Sequence, residues 1–443
     1  MRAFLEVAQK QGWLTTIRQE VDPYLELAAV AAALDGRPVL FSQVRGYPGW
    51  RVVTGVASDR RYFAKSLGCA PQQLLFELAR AFAEPQPAPV VTQAPCQHVV
   101  HQPGDLTALP ILKHLPDDGG RYITAGVLIS RDAERGLNAS FHRLLQVGPR
   151  QLAARLVENR GTHSAWRKAD GDLPVSIAIG VPLHGLLAAS MSPEPGLFEM
   201  TIAQALAPMP LVRCLGNDLL VPAQAEVILE GRLTQQLTAE GPFVDLTETS
   251  DRVRQQPIIE IDRITHRAHP IYHALLPGLL EHKLLMGMPK EPSIFAAVQQ
   301  VADVKNVHIT PGGASWLHAV VQIAKQGPDD GQRAAMAAFA GHGSLKHVVV
   351  VDEDVDIFDP HQVEWALATR VQAGRDVMLL RDQPASSLDP SARQQAGQKS
   401  RSDKMAVDAT IPWDSASGPA HPQHFQRVAF PQVRLSEYDE RFR

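Results

Sequence analysis

The sequence predicts a multidomain α+β protein with a small α/β unit over residues 1–97, antiparallel strands forming a sheet or barrel over 98–290, and an α/β unit over 291–443. Three observations predict this. A chain of 443 residues is longer than one ordinary hydrophobic core sustains. The Pro-rich stretch EPQPAPVVTQAP, residues 84–95, reads as a connector out of the first unit. The apolar pattern also changes twice, to short β-prone runs near residue 98 and to helix and strand alternation near residue 290.

In the first unit FLEVAQKQGWL, the segment from Leu25 to Leu34, and LLFELARAFA have helical spacing, and PVLF is a short apolar strand. In the second, YITAGVLIS, VSIAIGVP and AEVILEGRL are strands. In the last of these Val227, Leu229 and Leu233 share one face, and Glu226, Glu230 and Arg232 share the other. QLAARLVEN has its apolar residues at helical spacing and is expected to cross the sheet as a helix. The most apolar run, Leu173 to Met191, is interrupted by Pro174, Pro182 and His184, which argues against an unbroken membrane helix and for two core strands around a turn. In the third unit Ser315 is expected to cap a helix over SWLHAVVQIAKQ that ends at Gly327, and HVVVVD is a buried strand. Asp359 and Pro360 cap and start a helix over HQVEWALATRV. Residues 383–402 are expected to be a mobile loop before KMAVDATIPW.

Composition narrows the class of function. With 43 basic and 47 acidic residues the formal net charge is -4, so there is no basic surplus for nucleic acid. Cys69, Cys96 and Cys214 are odd in number and scattered, which fits a reducing cytoplasm better than a disulfide framework or a paired-thiol zinc site. The N-terminal MRAFLEVAQKQGWL carries Glu6, Lys10 and Gln11 where a signal peptide would be apolar.

The glycines of PGGAS and GHGS lack the spacing of a Walker loop or a dinucleotide fingerprint and read as turns. DEDVD has Ile357 where a calcium loop needs Gly and Val363 where it needs Glu, which leaves a solvated turn after a strand. His266, His269, His273 and His282 do not have metalloprotease spacing, and Pro270 interrupts any helix aligning the first three. They read as surface or hydrogen-bonded histidines. His282 and Lys290 are candidates to bind a second polar group on a substrate. AEGPFVD, residues 239–245, sets Glu240 and Asp245 around a Gly-Pro turn amid apolar residues, so the pair is solvated, paired or used. If the turn brings them together beside an arginine, the cation favours ionisation of one and leaves the other able to carry a proton.

NASFHR (138–143), AASMSPEPGLFE (188–199), NDLLVPAQAEVILEGRL (217–233), EGPFVD and HVVVVDEDVDIFDPHQVEWALATR together resemble the UbiD family of decarboxylases. The resemblance runs in order through nearly the whole chain, from MRAFLEVAQKQGWLTTIRQEVDP to KMAVDAT. It implies a small N-terminal α/β domain, a central flavin-binding split β-barrel and a C-terminal α/β domain through which many members dimerise or build larger homo-oligomers. It also implies prenylated FMN as cofactor, made by a separate flavin prenyltransferase, with Mn2+ and K+ at the flavin phosphate. The activity implied is carboxy-lyase chemistry on an aromatic, heteroaromatic or α,β-unsaturated acid, with furan- or pyrrole-type acids favoured by residues 265–292.

Residue by residue, the resemblance carries the family's acid, arginine, acid set onto Glu240, Arg143 and Asp245, with Arg143 binding the substrate carboxylate bidentately and Asp245 donating the proton. Asn138 and Glu199 match metal ligands, and His163 is the candidate for the third. Lys404 matches the lysine that reaches the phosphate, and the backbone around Ser190 and Met191 matches the flavin-contacting loop. Two rival readings stand beside this one: decarboxylation of a polyprenylated hydroxybenzoate for ubiquinone synthesis, and a non-catalytic flavin-binding or assembly protein. The complete Glu240, Arg143, Asp245 set argues against the second.

Overall fold

Two long strands, Val227–Glu240 and Arg254–His266, pair antiparallel and form the spine of the molecule. The computed structural model describes residues 1–158, 160–394, 398–414, 418–419, 424–425, 427–428, 430–431 and 433–438. The spine lies in a nine-stranded sheet whose order is Tyr122–Ile123, Leu144–Gly148, Gln151–Ala154, Arg254–His266, Val227–Glu240, Leu173–Ile179, Val127–Asp132 and Gly136–Phe141, with Val99–His101 also on Arg254–His266. Gly136–Phe141 is the last strand at one end, yet only His142 and Arg143 separate it from Leu144–Gly148, which lies next to the other end. The three residue steps from Phe141 to Leu144 span at most roughly 11 Å, so the sheet has to curl until its two ends nearly meet. Arg143 sits at that seam.

The faces of the spine follow its sequence. Val227, Leu229 and Leu233 enter one buried cluster with Leu128, Ile177 and Ile259, while Ile228 enters another beneath the N-terminal helices. Glu226 and Glu230 share the second face but are buried. Glu226 accepts from Arg2 at 2.7 and 2.8 Å, and Glu230 accepts from the Leu215 and Gly216 amides. A buried carboxylate is retained only where such partners satisfy it.

A four-stranded sheet, ordered Thr15–Ile17, Val39–Phe41, Arg51–Thr54 and Ile271–His273, takes its last strand from the chain beyond the spine. The C-terminal sheet is ordered Val304–Ile309, His318–Ile323, His347–Asp352, Arg401–Asp408 and Val377–Pro384. Helix Asp330–Gly341 packs on one of its faces and Pro360–Arg370 on the other. Helices Leu280–Gly287 and Glu291–Gln299 connect the parts. Glu281 accepts from the Gly55 and Ala57 amides, and Glu291 accepts from Arg60 and the Ile309 amide. Among the described residues no helix is long and apolar enough to cross a membrane.

Four local expectations are corrected. QLAA, residues 151–154, is a strand between two others, and its apolar residues are buried on both sides of a sheet instead of along a helix face. SWLHAVVQIAKQ contains the strand His318–Ile323, where paired neighbours bury Ala319, Val320 and Val321. Ser315 lies in a left-handed turn and caps nothing. Leu173–Met191 is one strand, Leu173–Ile179, followed by the helix Leu183–Ala189 that starts after Pro182. Within 383–402 strands occupy both ends, and Asp389 is buried against Lys346. Residues 395–397 of that segment lie outside the described ones. The helix start at Asp359 and Pro360 is as read, with the Asp359 side chain accepting from the His361 amide. Of the four histidines, His273 is buried against Glu281, His266 meets His101 at 2.9 Å and His269 is exposed.

Beyond the spine the chain turns at Gly241 and Pro242 into a short ribbon, Phe243–Val244 paired with Ser250–Asp251. Gly241 has φ +103°, a conformation that favours glycine. Gly119 packs against it so closely that a Cβ would lie 2.3 Å from the Gly241 carbonyl oxygen, and the Gly119 amide donates to Pro242 at 2.9 Å. Gly119→Ala is expected to destabilise the protein by about 1–3 kcal/mol, because backbone has to move to admit the methyl group. The denaturant midpoint against wild type measures it, and an unchanged midpoint would refute the close packing.

Candidate active site

Glu240 ends the long strand fully buried, and Arg143 meets its carboxylate edge-on, Nε donating at 2.9 Å and Nη2 at 3.0 Å. Tyr122 donates its hydroxyl to the same carboxylate at 3.2 Å. Burial and then the Glu240 charge push the Tyr122 hydroxyl up, which keeps it a donor. Phe243 lies under the guanidinium at 5.2 Å and against Tyr122 at 4.3 Å, walling the pair from water. Burial works against the Arg143 cation, but Glu240 and its other carboxylate neighbours outweigh it and raise its pKa. The ladder places Thr124 level with Arg143, since Ile123 pairs with Leu144, and the Thr124 hydroxyl is buried without a protein partner.

Asp245 approaches the remaining nitrogen, Nη1, at 3.6 Å, while its other oxygen accepts from the Leu246 amide. The turn therefore brings Glu240 and Asp245 to one arginine. A third carboxylate, Asp251, accepts from Nη2 at 2.9 Å. The Nε and Nη2 edge of Arg143 is thus occupied by the protein's own carboxylates, which leaves Nη1 as the nitrogen not hydrogen-bonded to Glu240 or Asp251. His282 stands beside this group, half-buried, with its Nδ1 accepting from the Gly278 amide at 3.1 Å. Burial lowers its pKa, and a neutral ring bonded this way carries its proton on Nε2.

A second cluster occupies the outer end of the seam strand. Asn138, Ser140 and His142 share one face of it by alternation. Asn138 Nδ2 donates to Ser140 at 3.1 Å and lies 3.5 Å from the Thr162 hydroxyl, which leaves Oδ1 as its open donor atom. His142 shares hydrogen bonds with Thr162, Ser140 and the Arg155 carbonyl. Glu199, at the start of helix Glu199–Leu206, accepts from the Ala139 amide at 2.6 Å and is 5% exposed. Burial with no cation beside it pushes its pKa up to about 7. A buried carboxylate and an amide oxygen on adjacent backbone make a fitting donor set for a hard divalent cation. His163 lies on helix Gly161–Lys168, one residue past Thr162, with its ring 5.8 Å from Trp166.

A third cluster is cationic. Lys290 Nζ donates to the Ser192 hydroxyl at 2.9 Å and Lys404 Nζ to the Gly343 carbonyl at 2.8 Å, and among the described residues neither has a carboxylate partner. Burial, with Arg160 acting on Lys290 and Lys399 on Lys404, brings both ammonium groups down to about 8. His342 is buried with an unpartnered Nε2, and burial, Lys290 and Lys404 bring it down to about 4. Such a group of cations is receptive to an anion such as phosphate. Ser190 and Met191 adjoin Ser192. Their amides donate back to Leu187 and Ala188, so carbonyl oxygens are what this loop offers a flavin. The two substrate-selection candidates are thus divided, His282 standing with Arg143 and Asp245, and Lys290 with the lysine cluster.

Comparison with known proteins gives the family. Family models described as the N-terminal, Rift-related and C-terminal domains of 3-octaprenyl-4-hydroxybenzoate carboxy-lyase match residues 5–82, 89–280 and 283–409. The chain belongs to the UbiD family. It is 42% identical over 414 residues to anhydromevalonate phosphate decarboxylase of Methanosarcina mazei, covering 92% of this chain and 95% of the relative. To the enzyme of that name from Methanocaldococcus jannaschii it is 39% identical over 422 residues, covering 94% and 97%. The UbiD-class enzyme HmfF from Pelotomaculum thermopropionicum, solved with FMN, superposes with a TM-score of 0.93 at 39% identity over 99% of both chains. The 3,4-dihydroxybenzoic acid decarboxylase of Enterobacter cloacae gives 0.90 at 28% identity over 99% and 98%. The protein is accordingly a UbiD-family carboxy-lyase with the multidomain α+β fold of that class.

Sequence reading missed Asp251, Tyr122, Thr162, Arg160 and His342. Asp251 sits in the polar run TETSDRVR, where only the pairing of Phe243 with Asp251 reveals its proximity to Arg143. Glu199 generates a test through pH. Its folded pKa is raised from 4.5 to about 7, so the penalty for ionising it is absent below about pH 4.5 and complete above about 7. Relative to Glu199→Gln, the metal-free wild type is expected to lose about 3 kcal/mol of stability across that window. Denaturation midpoints at pH 4.5, 6 and 8 measure it, and parallel curves would refute the assignment.

Proposed function

We propose that this carboxy-lyase catalyses the reversible non-oxidative decarboxylation of a small acid whose carboxylate is conjugated to an alkene or a heteroaromatic ring, with prenylated FMN as cofactor. The observation that carries the reading is the meeting of Glu240, Asp245 and Arg143 at the barrel seam, with Arg143 Nη1 still open to an incoming carboxylate. Glu240 fixes the guanidinium plane through its two parallel hydrogen bonds with Arg143. Asp245 delivers a proton to the carbon that loses CO2: the C–C bond breaks, its electron pair remains on that carbon, and the proton completes the product. Prenylated FMN supplies the electron sink. Asn138, Glu199 and His163 would hold Mn2+, with K+ as a second ion, the backbone of Ser190 and Met191 would contact the flavin, and Lys404 would bind its phosphate. A flavin prenyltransferase supplies the cofactor to a cytoplasmic homodimer or larger homo-oligomer.

The substrate carries a second anionic group. Lys290, with no carboxylate partner among the described residues, supports this, as does the identity with enzymes named for anhydromevalonate phosphate. We therefore place a phosphorylated α,β-unsaturated acid first, ahead of furan or pyrrole dicarboxylates, with His282 orienting the end nearest Asp245.

The protein produced together with a flavin prenyltransferase is to be assayed for CO2 release from anhydromevalonate phosphate, furan and pyrrole acids, a cinnamic acid and a polyprenylated hydroxybenzoate. Turnover of a conjugated acid is expected, with deuterium on the vacated carbon in heavy water, and silence across the panel would sink the reading. Asp245→Asn is expected to lower kcat by about 10²–10⁴-fold, and a fully active variant would remove Asp245 from its role. Lys290→Ala is expected to raise KM for the dianionic acid by about tenfold or more while sparing a monoanionic one, since a lost charge-assisted contact is worth roughly 1.5–3 kcal/mol. An equal effect on both acids would refute the selection.

A further inference from the structure

Asp251 lies outside the acid, arginine, acid set, yet it holds Arg143 at the same distance as Glu240 does. The guanidinium has five N–H groups. Nε and one Nη2 proton go to Glu240, the other Nη2 proton goes to Asp251 at 2.9 Å, and Nη1 is left facing Asp245. Asp251 is itself fixed. Its Oδ1 accepts from the Arg252 amide at 2.9 Å and its Oδ2 from Arg254 Nη1 at 2.5 Å. Arg254 stands opposite Glu240 in the spine ladder and also donates to the Arg252 carbonyl. Burial would raise the Asp251 pKa, but Arg254 and Arg143 outweigh it, so this acid stays ionised.

Resting on the carboxylate-binding role given to Arg143 above, we propose that Asp251, anchored by Arg254, is a positioning residue that turns Arg143 Nη1 toward the substrate carboxylate and balances the charge of the cluster. Two arginines face three carboxylates. When Asp245 is protonated the count is two against two, and an incoming carboxylate meets no excess negative charge. Neutralising Asp251 or Arg254 tips this count in opposite directions. The other titratable groups facing the cluster, Asp118, Tyr122, Arg155, His282 and Lys283, are the same in every variant below.

The first test needs no substrate. A crystal structure of the Asp251→Ala protein is expected to show the Arg143 guanidinium rotated, with Nη1 no longer facing Asp245; a guanidinium superposing on that of the wild type overturns the proposal. The second test uses the prenylated holoenzyme and the best acid of the panel. Asp251→Ala is expected to raise KM about tenfold, with Asp251→Glu restoring most of it. The basic limb of the kcat profile is expected to move down by about one pH unit in Asp251→Asn and up in Arg254→Gln. A merely structural role would slow both variants without moving the limbs apart, and that result, like shifts in one direction, overturns the proposal. Silence of the wild type would instead sink the proposed reaction, while the crystallographic comparison still decides the place of Asp251.

Discussion

The contact between Glu240 and Arg143 constrains everything around it. A carboxylate with no exposed surface is tolerable as an anion only if a cation and further donors meet its oxygens, and here a bidentate guanidinium and the Tyr122 hydroxyl do so. That contact joins the tip of the longest strand to the two-residue link that closes the sheet. Barrel closure and site geometry are therefore one event. If the ladder between Val227–Glu240 and Arg254–His266 slipped by a residue, Glu240 would turn to the opposite face and the seam arginine would lose its bidentate partner.

Charge is sorted along this surface. Around Arg143 the chain gathers carboxylates on arginines in a hydrogen-bonded arrangement. Around Lys290, Lys404 and Arg160 it places cations with no carboxylate partner among the described residues, an arrangement that waits for an anion. The oxygen donors of Asn138 and Glu199 form a further group, where a buried carboxylate has no cation beside it. A guanidinium held by carboxylates at Nε and Nη2, ammonium groups with no carboxylate partner among the described residues and a buried carboxylate with a raised pKa leave charges that the described groups of the chain balance only in part.

Much of the fold was legible because its signals are local. The Gly-Pro turn in AEGPFVD, the Asp359 and Pro360 helix start and the alternation of Val227, Leu229 and Leu233 depend on adjacent residues, and the structure has them as read. QLAARLVEN and SWLHAVVQIAKQ misled because a strand buried on both faces loses the period of two that marks a half-exposed one, so its alanines and valines imitate a helix. At the candidate site, the meeting of Arg143 with Glu240 and Asp245 was legible because a motif names those residues. Asp251 and His342 were not, because proximity across a ribbon or between helix and strand leaves no trace in linear spacing.

The first sheet has a consequence for synthesis. Its outer strand, Ile271–His273, emerges more than two hundred residues after Arg51–Thr54, the strand it covers. Until then Arg51–Thr54 presents an open row of backbone donors and acceptors, the geometry from which sheets grow between molecules. The amino-terminal unit is thus a lock whose bolt is cut from the far side of the barrel. A fragment ending at the Pro-rich connector would carry its sticky edge permanently, and a growing chain carries it until the catalytic spine has left the ribosome.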